Sequence, residues 1–133
     1  MNKHQHRARK AKYDEYYTLY SDVAAEILRH KNRLKGQRIH CPFSDYRTSE
    51  VVRFLTDYFW VLGLSHLTAT CLDRGDGAWR YDYDGRTVTI TRLEGNGSFD
   101  SPEVTAIMRS SNVVIDNPPF SKWGAIIKWT KAA

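Results

Sequence analysis

The stretch Val113-Val114-Ile115-Asp116-Asn117-Pro118-Pro119-Phe120-Ser121 constrains this chain more than any other. Three β-branched residues in a row predict a strand buried on both faces. Asn-Pro-Pro-Phe then sets a rigid, irregular turn, because each proline fixes φ, lacks an N–H and drives the residue before it into an extended conformation. In an open α/β sheet that carboxyl end is where ligands bind.

A chain of 133 residues, 41% hydrophobic, is large enough for one domain with a core and too small for two. Its formal charge of +5 is unevenly placed: Lys3, Arg7, Arg9, Lys10 and Lys12 fall in an acid-free arm, which leaves 15 basic and 15 acidic residues in 13–133. The arm reads either as a tail that contacts nucleic-acid phosphates or as a solvated, disordered terminus. It contains no apolar run, so neither a signal peptide nor a membrane span is expected, and the expected location is the cytoplasm of a bacterium or a phage host. His4 and His6 lack the neighbouring ligands of a metal site. Cys41 and Cys71, each in an apolar stretch, read as buried free thiols.

Along the chain, the tyrosine-rich segment Lys12 to Tyr20 reads as an ordered stretch lying on the body. Ser21 predicts the cap of a helix from Asp22 to about Lys35, ended by Gly36. Arg38 to Phe43 reads as a strand entering the polar loop Ser44-Asp45-Tyr46-Arg47, and Ser49 caps a second helix from Glu50 to about Leu62, closed by Gly63. Leu64 to Leu72 is the next strand and ends at Asp73, which reads either as the acid that bonds a ribose hydroxyl in nucleotide-binding folds or as one of the acids common at strand-to-loop junctions. Asp84-Gly85 between Trp79–Tyr83 and Arg86–Leu93 predicts a hairpin in place of a crossover helix, its second strand with one wet face. After the loop 95–100, Ser101 caps and Pro102 begins a helix to about Arg109. Ser121 to Ala133, with Trp123, Ile126, Ile127 and Thr130 on one face, predicts an amphipathic helix.

The chemistry of the proline turn follows from its acceptors. The prolines leave backbone carbonyls without their usual partners, and Asn117 adds a side-chain carbonyl, so one amino group could be gripped while Phe120 stacks on the ring that bears it. This arrangement holds an exocyclic amine in line with an electrophilic methyl group, with positioning and local electrostatics as the source of catalysis.

Asn117-Pro118-Pro119-Phe120 resembles the catalytic motif of amino-methyltransferases that use S-adenosyl-L-methionine, and the order of motifs upstream is similar to that of the EcoRI-type adenine-specific DNA methyltransferases. The residues carrying the likeness are Lys10-Ala11-Lys12, Asp14 to Thr18, Cys41 to Asp45 with Arg47 and Ser49, Leu62-Gly63-Leu64, Gly95, Gly97, Phe99, Ser101-Pro102-Glu103, and Val113 to Ser121. The resemblance implies a Rossmann-like class I methyltransferase sheet. It places Tyr17 and Thr18 in an amino-terminal cofactor motif, Cys41, Pro42, Phe43, Ser44 and Asp45 around the methionine part of the cofactor, Asp73 near its ribose and Phe99 near its adenine. The target, by the same resemblance, is an adenine flipped out of double-stranded DNA to meet Asn117, Pro118, Pro119 and Phe120.

Two departures from that family accompany the likeness: the first-strand loop has no glycine-rich signature, and Asn96 and Ser98 stand where acids are usual. The sequence also stops one predicted helix after the proline turn, which leaves a Val-Val-Ile strand with a bare edge. The expectation is therefore an incomplete fold, the cofactor-binding half (strand, helix, strand, hairpin, helix, strand, helix), with residues 13–133 as a partial methyltransferase domain that depends on a second chain for activity. Two other readings stand beside it: an RNA or protein amino-methyltransferase, and a non-catalytic remnant that binds DNA or a partner through its arm and sheet edge.

Overall fold

The computed structural model describes residues 20–117 and 126–130. The basic arm, Tyr17, Thr18, Pro118, Pro119 and Phe120 lie outside the described residues.

Strands β1 (Arg38–Cys41), β2 (His66–Thr70), β3 (Trp79–Tyr83), β4 (Val88–Arg92), β5 (Val113–Asp116) and β6 (Ile126–Trp129) form one mixed sheet in the order β4-β3-β2-β1-β5-β6. At its centre β1 runs parallel to both β2 and β5, with Ile39 opposite Leu67 on one side and Val113 on the other. The chain thus leaves β1 towards β2 and returns on the other flank at β5, so the sheet order reverses beside β1. Ligand sites of α/β sheets lie at such a reversal, outside the carboxyl ends of the strands.

Side-chain alternation gives the sheet two different faces. Ile39, Cys41, Leu67, Ala69, Val113 and Ile115 point to one face and form the main core with Val23 and Ile27 of α1 (20–28), Leu34 of α2 (Lys31–Leu34), Phe54 and Leu55 of α3 (Glu50–Asp57), and Phe59 and Leu62 of α4 (Phe59–Leu62). Each large side chain removed from water in this layer contributes roughly 1.5–3 kcal/mol. The opposite face is polar: Thr68 Oγ1 donates to Asp82 at 2.8 Å, His66 bonds the same carboxylate at 2.8 Å, and His40 lies against Thr70. Helix α5 (Pro102–Ser110) lies on this side, with Val104 and Ile107 packed on Ala78 and Leu93.

The expected caps form. Ser49 Oγ accepts from Val52 N at 3.2 Å, Ser101 Oγ accepts from Val104 N at 3.2 Å, and Gly63 closes α4 with φ +68°. Both long helices break, however. His30 N bonds Ile27 O at 3.0 Å and Tyr58 takes φ −104° and ψ 15°, so each helix turns within its length. The bends keep Ile27, Leu34, Phe54 and Leu62 all buried against one curved sheet.

Three expectations are corrected. The segment predicted as a terminal amphipathic helix contains β6, antiparallel to β5 with Ile127 opposite Ile115 and Trp129 opposite Val113. Ile126 and Ile127 are β-branched, and pairing with an open neighbour outweighs a helical spacing shared by so few residues. The outer edge of β5 is therefore covered, and the bare edge from which incompleteness was inferred does not exist. The hairpin turn spans four residues, with Asp84 Oδ1 accepting from Arg86 N and Thr87 N at 2.9 and 2.8 Å. Finally, β4 is exposed on both faces, and among the described residues no helix extends over it.

Candidate active site

Three connections meet at the carboxyl ends of β1, β2 and β5. The turn after β1, Pro42-Phe43, is held to β2 by Ser44 N donating to Thr70 O at 3.0 Å. It is held to β5 by Asp116: Ser44 Oγ donates to Oδ1 at 2.6 Å, and Phe43 N donates to Oδ2. Asn117 N also donates to Asp116 Oδ1, at 2.8 Å. A further hydroxyl, Ser49 Oγ, donates to Ser44 Oγ at 2.9 Å, joining the cap of α3 to the same group. Burial pushes the Asp116 carboxyl above the ordinary range, against the pull of its three donors.

The connection after β2 is shaped by Asp73, whose Oδ1 accepts from Gly75 N at 2.7 Å and Gly77 N at 3.0 Å. Asp73 N bonds Asn96 O at 2.7 Å, which brings the 95–100 loop against the strand end. There Phe99 packs on Phe43, ring centres 5.1 Å apart.

Two cavities open between these connections. The larger, of about 510 Å³, has aromatic and aliphatic walls from Pro42, Phe43, Leu72 and Phe99. The smaller, of about 230 Å³, is polar, with Ser44, Asp45, Ser49, Glu50 and Asp116 in its wall. Phe43, Arg74 and Asn117 line both. Asn117 Oδ1 is buried and has no hydrogen-bond partner among the described residues, an acceptor left open at the seam.

Of the residues singled out from the sequence, Pro42, Phe43, Ser44, Asp45, Phe99 and Asn117 come together here. Cys41 and Asp73 line neither cavity: Cys41 is wholly buried in the core, its thiol pushed up by that burial, and Asp73 is exposed with its Oδ1 bonded to its own loop. Asp45 is engaged by Arg47, whose guanidinium hydrogen bonds hold the carboxyl below its usual range. The sequence argument missed Asp116 and Arg74. An acid at the end of an all-apolar strand was the available signal for Asp116; its position beside Asp73 was the signal for Arg74.

A parallel-centred α/β sheet with an aromatic and a polar cavity at its point of reversal defines a ligand-binding α/β protein. More narrowly, the chain belongs to the EcoRI-type adenine-specific methyltransferase family, whose model matches residues 4–130. It is 38% identical over 115 residues to the type II methyltransferase M.MpnI of Mycoplasma pneumoniae, covering 86% of this chain and 36% of that protein. Against the type II methyltransferase M.EcoRI of Escherichia coli it is 28% identical over 138 residues, covering 90% of this chain and 42% of the relative. The chain thus spans well under half the length of the curated relatives it matches. No solved structure matches it.

Proposed function

We propose that residues 13–133 form the cofactor-binding half of a Rossmann-like class I methyltransferase domain and serve the methylation of the N6 amino group of an adenine flipped from double-stranded DNA. Family membership supports the reaction class. The observation that carries the site is the unpartnered, buried Asn117 Oδ1, on a residue that lines both cavities directly after β5.

The cavities suit S-adenosylmethionine by their own chemistry. Phe43 and Phe99 offer flat apolar faces for a purine, and the polar cavity offers charged and hydroxyl groups for an amino-acid end. When bound, the cofactor supplies an electrophilic methyl group. The work of the protein is then to hold the target amine: Asn117 Oδ1 accepts one N–H, and the backbone carbonyls of the Asn117-Pro118-Pro119 segment and the ring of Phe120 complete the grip by their place in the sequence. Asp116 keeps Asn117 fixed to the turn after β1, so amine site and cofactor site share one support. Among the described residues no helix is long and apolar enough to cross a membrane. A DNA target in a bacterium supports a cytoplasmic location.

Calorimetry with S-adenosylmethionine, followed by tritium transfer from it into duplex DNA, RNA and protein, tests this reading. Cofactor binding by this chain, with label on DNA adenine once a second chain supplies the rest of the domain, is the expected outcome, the transfer abolished by Asn117→Ala. Binding without transfer supports a cofactor-binding half that acts with a second chain. Label only in RNA or protein moves the substrate, and a folded chain with no cofactor affinity leaves a DNA- or partner-binding protein.

A further inference from the structure

The loop 73–77 was expected to hold Asp73 near the ribose of the ligand, and its hydrogen bonds engage one oxygen of that acid within the loop. Gly75 at φ +118° and Gly77 at φ +101° let the backbone curl until both amides reach Asp73 Oδ1. The side chain that this loop sends to the cavities is that of Arg74, which lines the aromatic cavity and the polar one together.

The charges around the polar cavity are otherwise committed. Asp45 is paired with Arg47 at 2.9 Å, Glu50 with Arg53 at 3.2 Å, and Asp116 takes neutral donors from Phe43, Ser44 and Asn117. Among the described residues Arg74 makes no ion pair, although it stands on the same wall as these acids. A guanidinium in that position is a planar, permanently charged donor fork suited to a carboxylate. A ligand with a purine at one end and an amino acid at the other would fill the aromatic cavity with its ring and bring its carboxylate to the seam.

We propose that Arg74 recognises the carboxylate of the cofactor's amino-acid end, which makes it the residue selecting the intact cofactor over adenosine derivatives that lack that end. The inference rests on the reading of the two cavities as the S-adenosylmethionine site. It assigns the ribose-side loop a role at the opposite end of the ligand from the one implied by Asp73.

The experiment compares S-adenosylhomocysteine with 5′-methylthioadenosine, which keeps the base, ribose and sulfur but has no amino-acid end. Calorimetry on the wild-type chain, Arg74→Ala and Arg74→Lys gives six affinities, and thermal unfolding checks each fold. Arg74→Ala is expected to weaken S-adenosylhomocysteine about tenfold, the loss of one charge-assisted bond, while 5′-methylthioadenosine changes less than about twofold. Arg74→Lys restores part of the loss. Equal weakening of both ligands overturns the proposal, since Arg74 would then act by shaping its loop. Unchanged affinity for both overturns it too. A wild-type chain that binds neither ligand instead removes the cofactor reading on which the proposal stands.

Discussion

The hydroxyl of Ser44 donates to Oδ1 of Asp116 at 2.6 Å, joining the turn after β1 to the end of β5 across 72 positions of sequence. These two strands are adjacent and parallel, so nothing in their backbone pairing fixes where their following loops go. The carboxylate does this: with Phe43 N and Asn117 N as further donors, it holds both walls of the candidate site at one buried point.

Asp116→Ala leaves the Phe43 N–H and the Ser44 hydroxyl without their acceptor and should cost about 1–3 kcal/mol, read from the urea unfolding midpoint. Ser44→Ala should cost less, since the carboxylate keeps two backbone donors. The pH dependence follows from the raised carboxyl. A folded pKa above the unfolded one means that the native state holds the proton more tightly. Its stabilising contribution is full below the unfolded carboxyl's pKa and is lost as pH rises through the folded value. Asp116→Asn should abolish that decline; an unaltered decline would show that another group causes it.

His40 carries the opposite dependence. Burial, aided by the charge of Arg80 and opposed by Asp82, lowers its pKa from 6.5 to about 4. Its neutral form is therefore favoured in the folded state, and its contribution is complete above about pH 6.5 and is lost as pH falls towards 4. The full effect is about 3 kcal/mol. Urea midpoints at neutral and mildly acidic pH should converge in His40→Gln relative to the wild type; equal sensitivity in both would clear His40 of the role.

The pairing of β6 with β5 predicts that Ile127 matters to stability. Ile127 packs on the main core opposite Ile115, and Ile127→Ala should lower stability by about 1–2 kcal/mol, less than a fully buried isoleucine because its site is half open. Lys128→Ala, on an exposed position of the same strand, is the control and should change nothing measurable. A helix through these residues would place the two effects otherwise.

Local signals were readable in the sequence because the forces behind them are local. Ser49, Gly63, Ser101 and Pro102 set helix ends through their own dihedrals and side-chain oxygens, and each stands where the pattern put it. Asn117 and Phe99, singled out from their motifs, both line the aromatic cavity. Asp116 was not singled out, since its donors lie on another strand's loop and no spacing within 113–121 announces them. At Asp73 the sequence locates an acid at a strand end, and the use of its Oδ1 inside its own loop depends on Gly75 and Gly77, two glycines whose turn chemistry was available to read. The terminal strand was missed because Ile126 and Ile127 satisfy both periods, and only the neighbour decides between them.

The wall of the aromatic cavity offers the sharpest separation of fold from binding. Gly97 has φ +77°, and a Cβ there would lie 2.1 Å from the Cys71 carbonyl oxygen and 2.9 Å from Ala78 Cβ. Cys71 and Gly97 both border the cavity, so Gly97→Ala must move the loop that carries Phe99. Both the melting temperature and the affinity for S-adenosylmethionine should fall, the first by several degrees for each ~1 kcal/mol of strain. Phe99→Ala should divide these readouts. Phe99 is 49% exposed and its ring rests on Phe43, outside the main core, so unfolding should hardly shift while cofactor affinity drops about tenfold, the scale of one aromatic contact. If Phe99→Ala lowers the melting temperature as far as Gly97→Ala does, the Phe43–Phe99 pair is a structural clasp; if it leaves affinity intact, the purine does not lie against Phe99.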